Sequence, residues 1–170
     1  MKLELKAIEY SERLSEETYC FSAKLYVDGK PFAIVSNRGH GGCTDVDPIN
    51  FEMEHVGAWR THLEEVEAYI KANFPATTYE DVVIHTDLEI WASDQITEHL
   101  YRKEMKTAFR SKVLFYVKGS VRYFAKKQKG RTFPQEQIVE HVRSRHGDDV
   151  KILNLLPEAE ALELWKANAA

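Results

Sequence analysis

A chain of 170 residues, 44% hydrophobic and with a net charge of −4, is long enough to bury one core or two small lobes. It contains no apolar run of the ~18 to 20 residues that a membrane span needs, and the charges spread through MKLELKAIEY do not suit a secretory signal. Two cysteines without framework spacing predict a reducing, cytoplasmic setting and exclude a disulfide scaffold.

The net charge conceals a division. Residues 102–131 carry eleven Lys and Arg against one acid, Glu104, whereas residues 1–101 carry 8 basic and 19 acidic groups. Charge segregated in this way predicts an acidic partner.

Residues 2–10 alternate loosely and predict a strand with an irregularity near Ala7. Residues 18–28, TYCFSAKLYVD, alternate cleanly, and Asp28-Gly29 fits a two-residue type I′ turn. That turn predicts pairs Leu25–Phe32, Ala23–Ile34 and Phe21–Ser36 on the apolar face, with Cys20 opposite Asn37 on the polar one.

The strand runs into SNRGHGGC, residues 36–43, and three uses of this loop are open. Glycine can supply positive φ and close approach at a corner. Successive N–H groups of Asn37, Gly39, His40, Gly41, Gly42 and Cys43 can cradle an anion, such as a nucleotide or phosphorylated ligand. The loop matches neither phosphate-binding glycine motif, however, and Asp45 and Asp47 would repel an anion. Cys20, His40 and Cys43 also invite a zinc or Cys–His site, with His55 or His62 as the fourth ligand. The two histidines lie seven residues apart on a predicted helix, about 10 Å along its axis, so both cannot bind one metal. The shortage of ligands predicts no bound metal, and no cofactor motif is present.

Val56, Trp59, Leu63, Val66 and Ile70 predict an amphipathic helix over 54–73, ended by Phe74-Pro75. Glu52, Glu54, Glu64, Glu65 and Glu67 fall on its solvent side and predict no catalytic pair. Residues 79–85 read as a short strand or an irregular lead-in. Asp87 predicts the N-cap of a long helix to about Phe109, acidic at its start and basic at its end, as the helix dipole favours.

KVLFYVKGSVRYFAKK, residues 112–127, predicts a second hairpin with its turn at Lys118-Gly119-Ser120. A Gly-Ser turn pairs Tyr116 with Tyr123, and a Lys-Gly turn shifts the register. Lys112, Lys118, Arg122, Tyr123, Lys126, Lys127, Lys129 and Arg131 set cations beside aromatics, the combination a single-stranded nucleic acid uses: charge for the backbone, rings for stacking. An acidic protein surface would suit the same cations. Pro134 and Gly147 then bracket a helix, Val150–Leu155 a short strand, and Pro157 opens a last helix to Lys166.

The order predicts an α+β fold: an N-terminal antiparallel three-stranded sheet, two long central helices, and a C-terminal β-hairpin with α-β-α. It is read as one domain over 1–170, with possible lobes 1–75 and 76–170. TYCFSAKLYVDGK, VSNRGHGGC and SKVLFYVKG resemble small uncharacterised proteins encoded by bacteriophages and prophages. The resemblance covers the first hairpin, the glycine loop and the strand after the long helix, about a third of the chain. It implies no catalytic residue, only a role in binding and redirecting a host component. The function expected is a non-enzymatic module docking on nucleic acid, or on a nucleic-acid-associated protein complex, through the basic hairpin. The alternative is a small enzyme or sensor at the glycine loop.

Overall fold

The computed structural model describes residues 1–49 and 56–169, a mixed α and β fold whose sheets are antiparallel. Four strands, β1 (Leu3–Tyr10), β2 (Cys20–Val27), β3 (Lys30–Arg38) and β4 (Asp45–Pro48), form the first sheet in that order. The sequence predicted three; β4 returns from the glycine loop and pairs Asp45 to Pro48 with β3. β1 carries its irregularity at Ala7, which has φ of 50° where the register with β2 shifts.

Asp28 and Gly29 adopt positive φ, 49° and 80°, as a type I′ turn requires. The register beyond the turn differs from the expected one. Tyr26 pairs with Pro31, but Leu25 pairs with Ala33, so Phe32 is an extra residue on β3. Proline has no N–H for the ladder, and a bulge beside it absorbs one residue. From there the expected pairing is off by one: Ala23 faces Val35 and Phe21 faces Asn37, while Cys20 faces Arg38. Ala33, Val35 and Asn37 therefore point inward with Phe21, Ala23, Leu25 and Val27, and Ile34 is exposed.

α1 (Val56–Asn73) buries Val66 and Ile70, and α2 (Leu88–Ser111) follows after a small ribbon of β5 (Thr77–Tyr79) and β6 (Val82–Ile84). The predicted start of α1 at Glu54, and with it Glu52 and His55, lies outside the described residues. Glu64, Glu65 and Glu67 are exposed. Asp87 caps α2, its Oδ1 accepting from the Ile90 N–H at 2.8 Å.

β7 (Lys112–Val117) and β8 (Ser120–Ala125) form the second hairpin, with Lys118 and Gly119 at φ of 50° and 82°. Of the two turns the sequence allowed, the Lys-Gly turn forms, and Tyr116 pairs with Val121. A ribbon of β9 (Lys127–Gln128) and β10 (Arg131–Thr132) follows, then α3 (Gln135–His146), β11 (Lys151–Ile152), a 3-10 turn over Leu153–Leu155 where a longer strand was expected, and α4 (Glu158–Ala169).

The chain forms two compact units, Met1–Thr97 and Glu98–Ala170, the boundary falling inside α2. In the C-terminal unit the sheet is ordered β11-β7-β8, and its central strand β7 is buried on both faces. Val113 and Phe115 pack with Ile138, Val139 and Val142 of α3. Leu114 packs with Met105 of α2 and with Ala161 and Leu162 of α4. Two-sided burial explains why β7 lacks the polar–apolar alternation of β2.

Candidate nucleic-acid interface

The glycine loop closes on itself. Asn37, only 5% exposed, sits at the end of the inner face because of the bulge. Its Oδ1 accepts from Thr18 Oγ1 at 2.8 Å and from the Gly39 N–H at 2.9 Å, and its Nδ2 donates to Gly42 O at 2.8 Å. The N–H groups of Glu16, Glu17 and Thr18 donate to Gly39 O at 2.9, 3.0 and 3.4 Å. Gly39 has φ of +88°, and a Cβ there would stand 2.1 Å from Leu14 O and 2.9 Å from the Cys20 Cβ, so no other residue fits without a shift.

His40 protrudes from this corner, with Nδ1 3.1 Å from Glu16 Oε2, and Gly41 lies against the Glu17 carboxylate. Gly42 and Cys43 are exposed. Two of the N–H groups that an anion would need, those of Gly39 and Gly41, already donate to Asn37 Oδ1 and Thr18 Oγ1. Neighbouring clefts of about 470 and 280 Å³ are lined by Glu12, Glu16 and Glu17 and by Asp87 and Glu89, a negative setting for a phosphate. His62 packs its ring edge-on against Phe32 at 5.1 Å. Among the described residues no three His, Cys, Asp or Glu side chains converge as a metal-binding group.

The basic hairpin is arranged differently. In the second half of α2, Arg102 pairs with Glu98 and Glu158, and Lys106 with Glu158 at 2.9 Å. These contacts hold the Glu158 carboxyl below its ordinary range, the hydrogen bond from Lys106 contributing most. Lys151 and Lys166 likewise meet Glu160 and Glu163. By contrast, Lys112, Lys118, Arg122, Lys126, Lys127, Lys129 and Arg131 meet no carboxylate among the described residues.

β8 is an edge strand, and these cations are spread along it and onto the ribbon that follows. Lys118 stands at the turn, Arg122 midway, and Lys127, Lys129 and Arg131 on the ribbon beyond, along a track of about 20 Å or more. Lys129 and Gly130 turn the ribbon with φ of 46° and 78°, which presents Lys129 at its tip. Lys126 stands apart: it is half-buried and its Nζ donates to Phe109 O at 2.7 Å, near the C-terminus of α2. That position suits a cation at the negative end of the helix dipole.

Tyr123 is 58% exposed, and Lys112 places its Nζ 4.3 Å from the ring centroid. Arg122 and Phe124 lie on the face opposite that ring: pairing puts Arg122 beside Phe115 and Phe124 beside Val113, while Tyr123 lies beside Leu114. Asn168 Oδ1 accepts from the Val121 N–H at 3.0 Å, covering part of the β8 edge. Elsewhere in this unit, burial and then the nearby Lys103 and Arg102 push the His99 imidazole below its ordinary value. No helix of the described residues is long and apolar enough to cross a membrane.

Compared with protein-family models, curated proteins and solved structures, the chain matches none.

Proposed function

We propose that the protein is a non-enzymatic binding module that docks single-stranded nucleic acid along the β8 edge and the β9–β10 ribbon. One observation carries this reading. Lys118, Arg122, Lys127, Lys129 and Arg131 meet no carboxylate among the described residues, while Arg102, Lys106, Lys151 and Lys166 of the same unit do. Unpaired cations along an edge match a chain of phosphates, and the exposed Tyr123 ring offers a base a stacking surface. The cations also keep a second β-edge from pairing with β8, which explains some of their number but not their continuation onto the ribbon. In this reading the host component that the sequence resemblance implies is a nucleic acid, alone or within a protein complex.

The glycine-loop alternative has less support, because the loop's polar groups are engaged within the corner and its surroundings are acidic. The test is competition at physiological salt. A labelled single-stranded DNA bound to the full chain is challenged with unlabelled DNA and with polyglutamate at equal charge. Displacement by DNA at far lower concentration is expected. Equal displacement by polyglutamate would show that only charge is read and that an acidic protein surface fits as well.

A further inference from the structure

Beside the ribbon, Phe124 and Ile138 floor a groove of about 320 Å³, with Phe133 and His141 lining it and the amides of Gln128 and Gln137 at its margin. All belong to the C-terminal unit. The groove forms because β10 ends at Thr132, the Phe133 N–H donates to Lys126 O at 2.8 Å, and α3 begins at Gln135. Gln137 and His141 lie four residues apart and so share one face of α3, while Glu136 and Glu140 line a different cleft. The carboxylates of α3 are thus kept from this groove; Lys127 precedes its Gln128 and Arg131 pairs with Gln128 across the ribbon, and neither cation meets a carboxylate among the described residues.

The geometry points to a pocket for one unstacked nucleobase of the docked strand, an inference that rests on the nucleic-acid reading above. The volume is at the small end for ligand pockets and suits a single flat ring system. The walls are the ones a base needs. Phe133 in the lining is 38% exposed, leaving its ring available for stacking, and His141 stands edge-on to Phe124 at 5.4 Å. Gln128 uses its Nε2 on Ala125 O at 3.3 Å, which leaves its carbonyl oxygen to accept. Gln137 makes no side-chain hydrogen bond among the described residues, and its amide can donate and accept toward the edge of a base. Charge selects the occupant: an apolar slot whose Gln128 adjoins Lys127 and faces Arg131 on the ribbon fits a flat ring attached to a phosphate chain. A fatty or purely aromatic ligand would leave those cations unanswered.

The probe is a single-stranded DNA 12-mer that is abasic throughout, compared with the same 12-mer bearing one central 2-aminopurine. The single base is expected to tighten binding of the full chain about tenfold, as one stacked base does, with its fluorescence quenched on binding. Phe133→Ala and Gln137→Leu should each remove that gain and leave the abasic affinity unchanged. Gln137 is exposed on α3, so Gln137→Leu keeps the test valid if Phe133→Ala fails to fold. Equal affinity of the two 12-mers would overturn the pocket while leaving the docking reading intact. Loss of the gain in Tyr123→Ala, with Phe133→Ala and Gln137→Leu silent, would move the base to the other face and overturn it too. Failure of both 12-mers to bind would remove the pocket and the nucleic-acid reading together.

Discussion

The corner at residues 36–44 and the hairpin at residues 112–131 both depend on turn residues with positive φ, and they treat their polar groups in opposite ways. At the corner, Asn37, Thr18 and the N–H groups of residues 16–18 and 39 form a closed set of hydrogen bonds. At the hairpin, the cations outside Lys126 and Lys112 meet neither a carboxylate nor an aromatic face among the described residues. Polar groups that are satisfied inside the fold stabilise it and leave little capacity for a ligand. Charges kept unpaired cost a compact protein some self-repulsion and retain their full capacity for an external partner.

The largest expected effect tests the corner. Gly39→Ala forces a Cβ onto Leu14 O in a left-handed conformation, and should lower stability in urea denaturation by about 3 kcal/mol. Gly42 has open space around it and no positive φ, so Gly42→Ala should change stability by less than ~0.5 kcal/mol. Similar losses at both positions would show that the corner is not the tight structural element described.

Within the hairpin, Lys126→Ala removes a hydrogen bond to Phe109 O and should cost about 1 kcal/mol, whereas Lys127→Ala should cost nothing measurable. Equal costs would erase the distinction between the structural lysine and the docking ones.

The pH dependence of the C-terminal unit should be smaller still. His99 has a lowered pKa in the folded state, so the unfolded chain takes up a proton first. Stability is complete above the unfolded value of about 6.5 and declines as pH falls from there through the folded value. Glu158, also lowered, contributes stability above its unfolded value and loses it as pH falls through its folded one, at more acidic pH than His99. His99→Gln should flatten only the upper of these two windows in urea midpoints measured from pH 8 to pH 4. An unaltered profile would remove His99 from the account.

The smallest effect is expected at His40, whose one partner among the described residues is the exposed Glu16. His40→Ala should shift stability by less than ~0.5 kcal/mol and leave nucleic-acid binding unchanged. A lost binding activity would reopen the loop as a ligand site.

Much of this was legible in the residues themselves. The Asp28-Gly29 turn, the Asp87 cap and the Gly147 C-terminal turn all follow from local chemistry. The bulge after Pro31 was not, because Phe32, Ala33, Ile34 and Val35 are apolar at both parities and alternation cannot choose between registers. Pro31 was the available signal, since a residue without an N–H so close to a turn invites an irregularity. The consequence was large: one residue of slip moved Asn37 from the outer face to the interior, and with it turned a candidate ligand residue into the centre of the corner. The groove beside Phe124 was equally hidden, because only the fold brings its walls together: the Phe133 N–H bonds to Lys126 O, and His141 of α3 packs on Phe124.

The central claim is that the cations of β8 and the ribbon meet phosphates, and the salt dependence of binding tests it most directly. For a single-stranded DNA 12-mer, the logarithm of affinity against the logarithm of salt concentration should fall with a slope of about −3, given contacts from most of the five docking cations. The double variant Lys127→Glu, Arg131→Glu should make that slope shallower by at least ~1 with an unchanged melting temperature. A slope near zero, or one that charge reversal leaves alone, would contradict it.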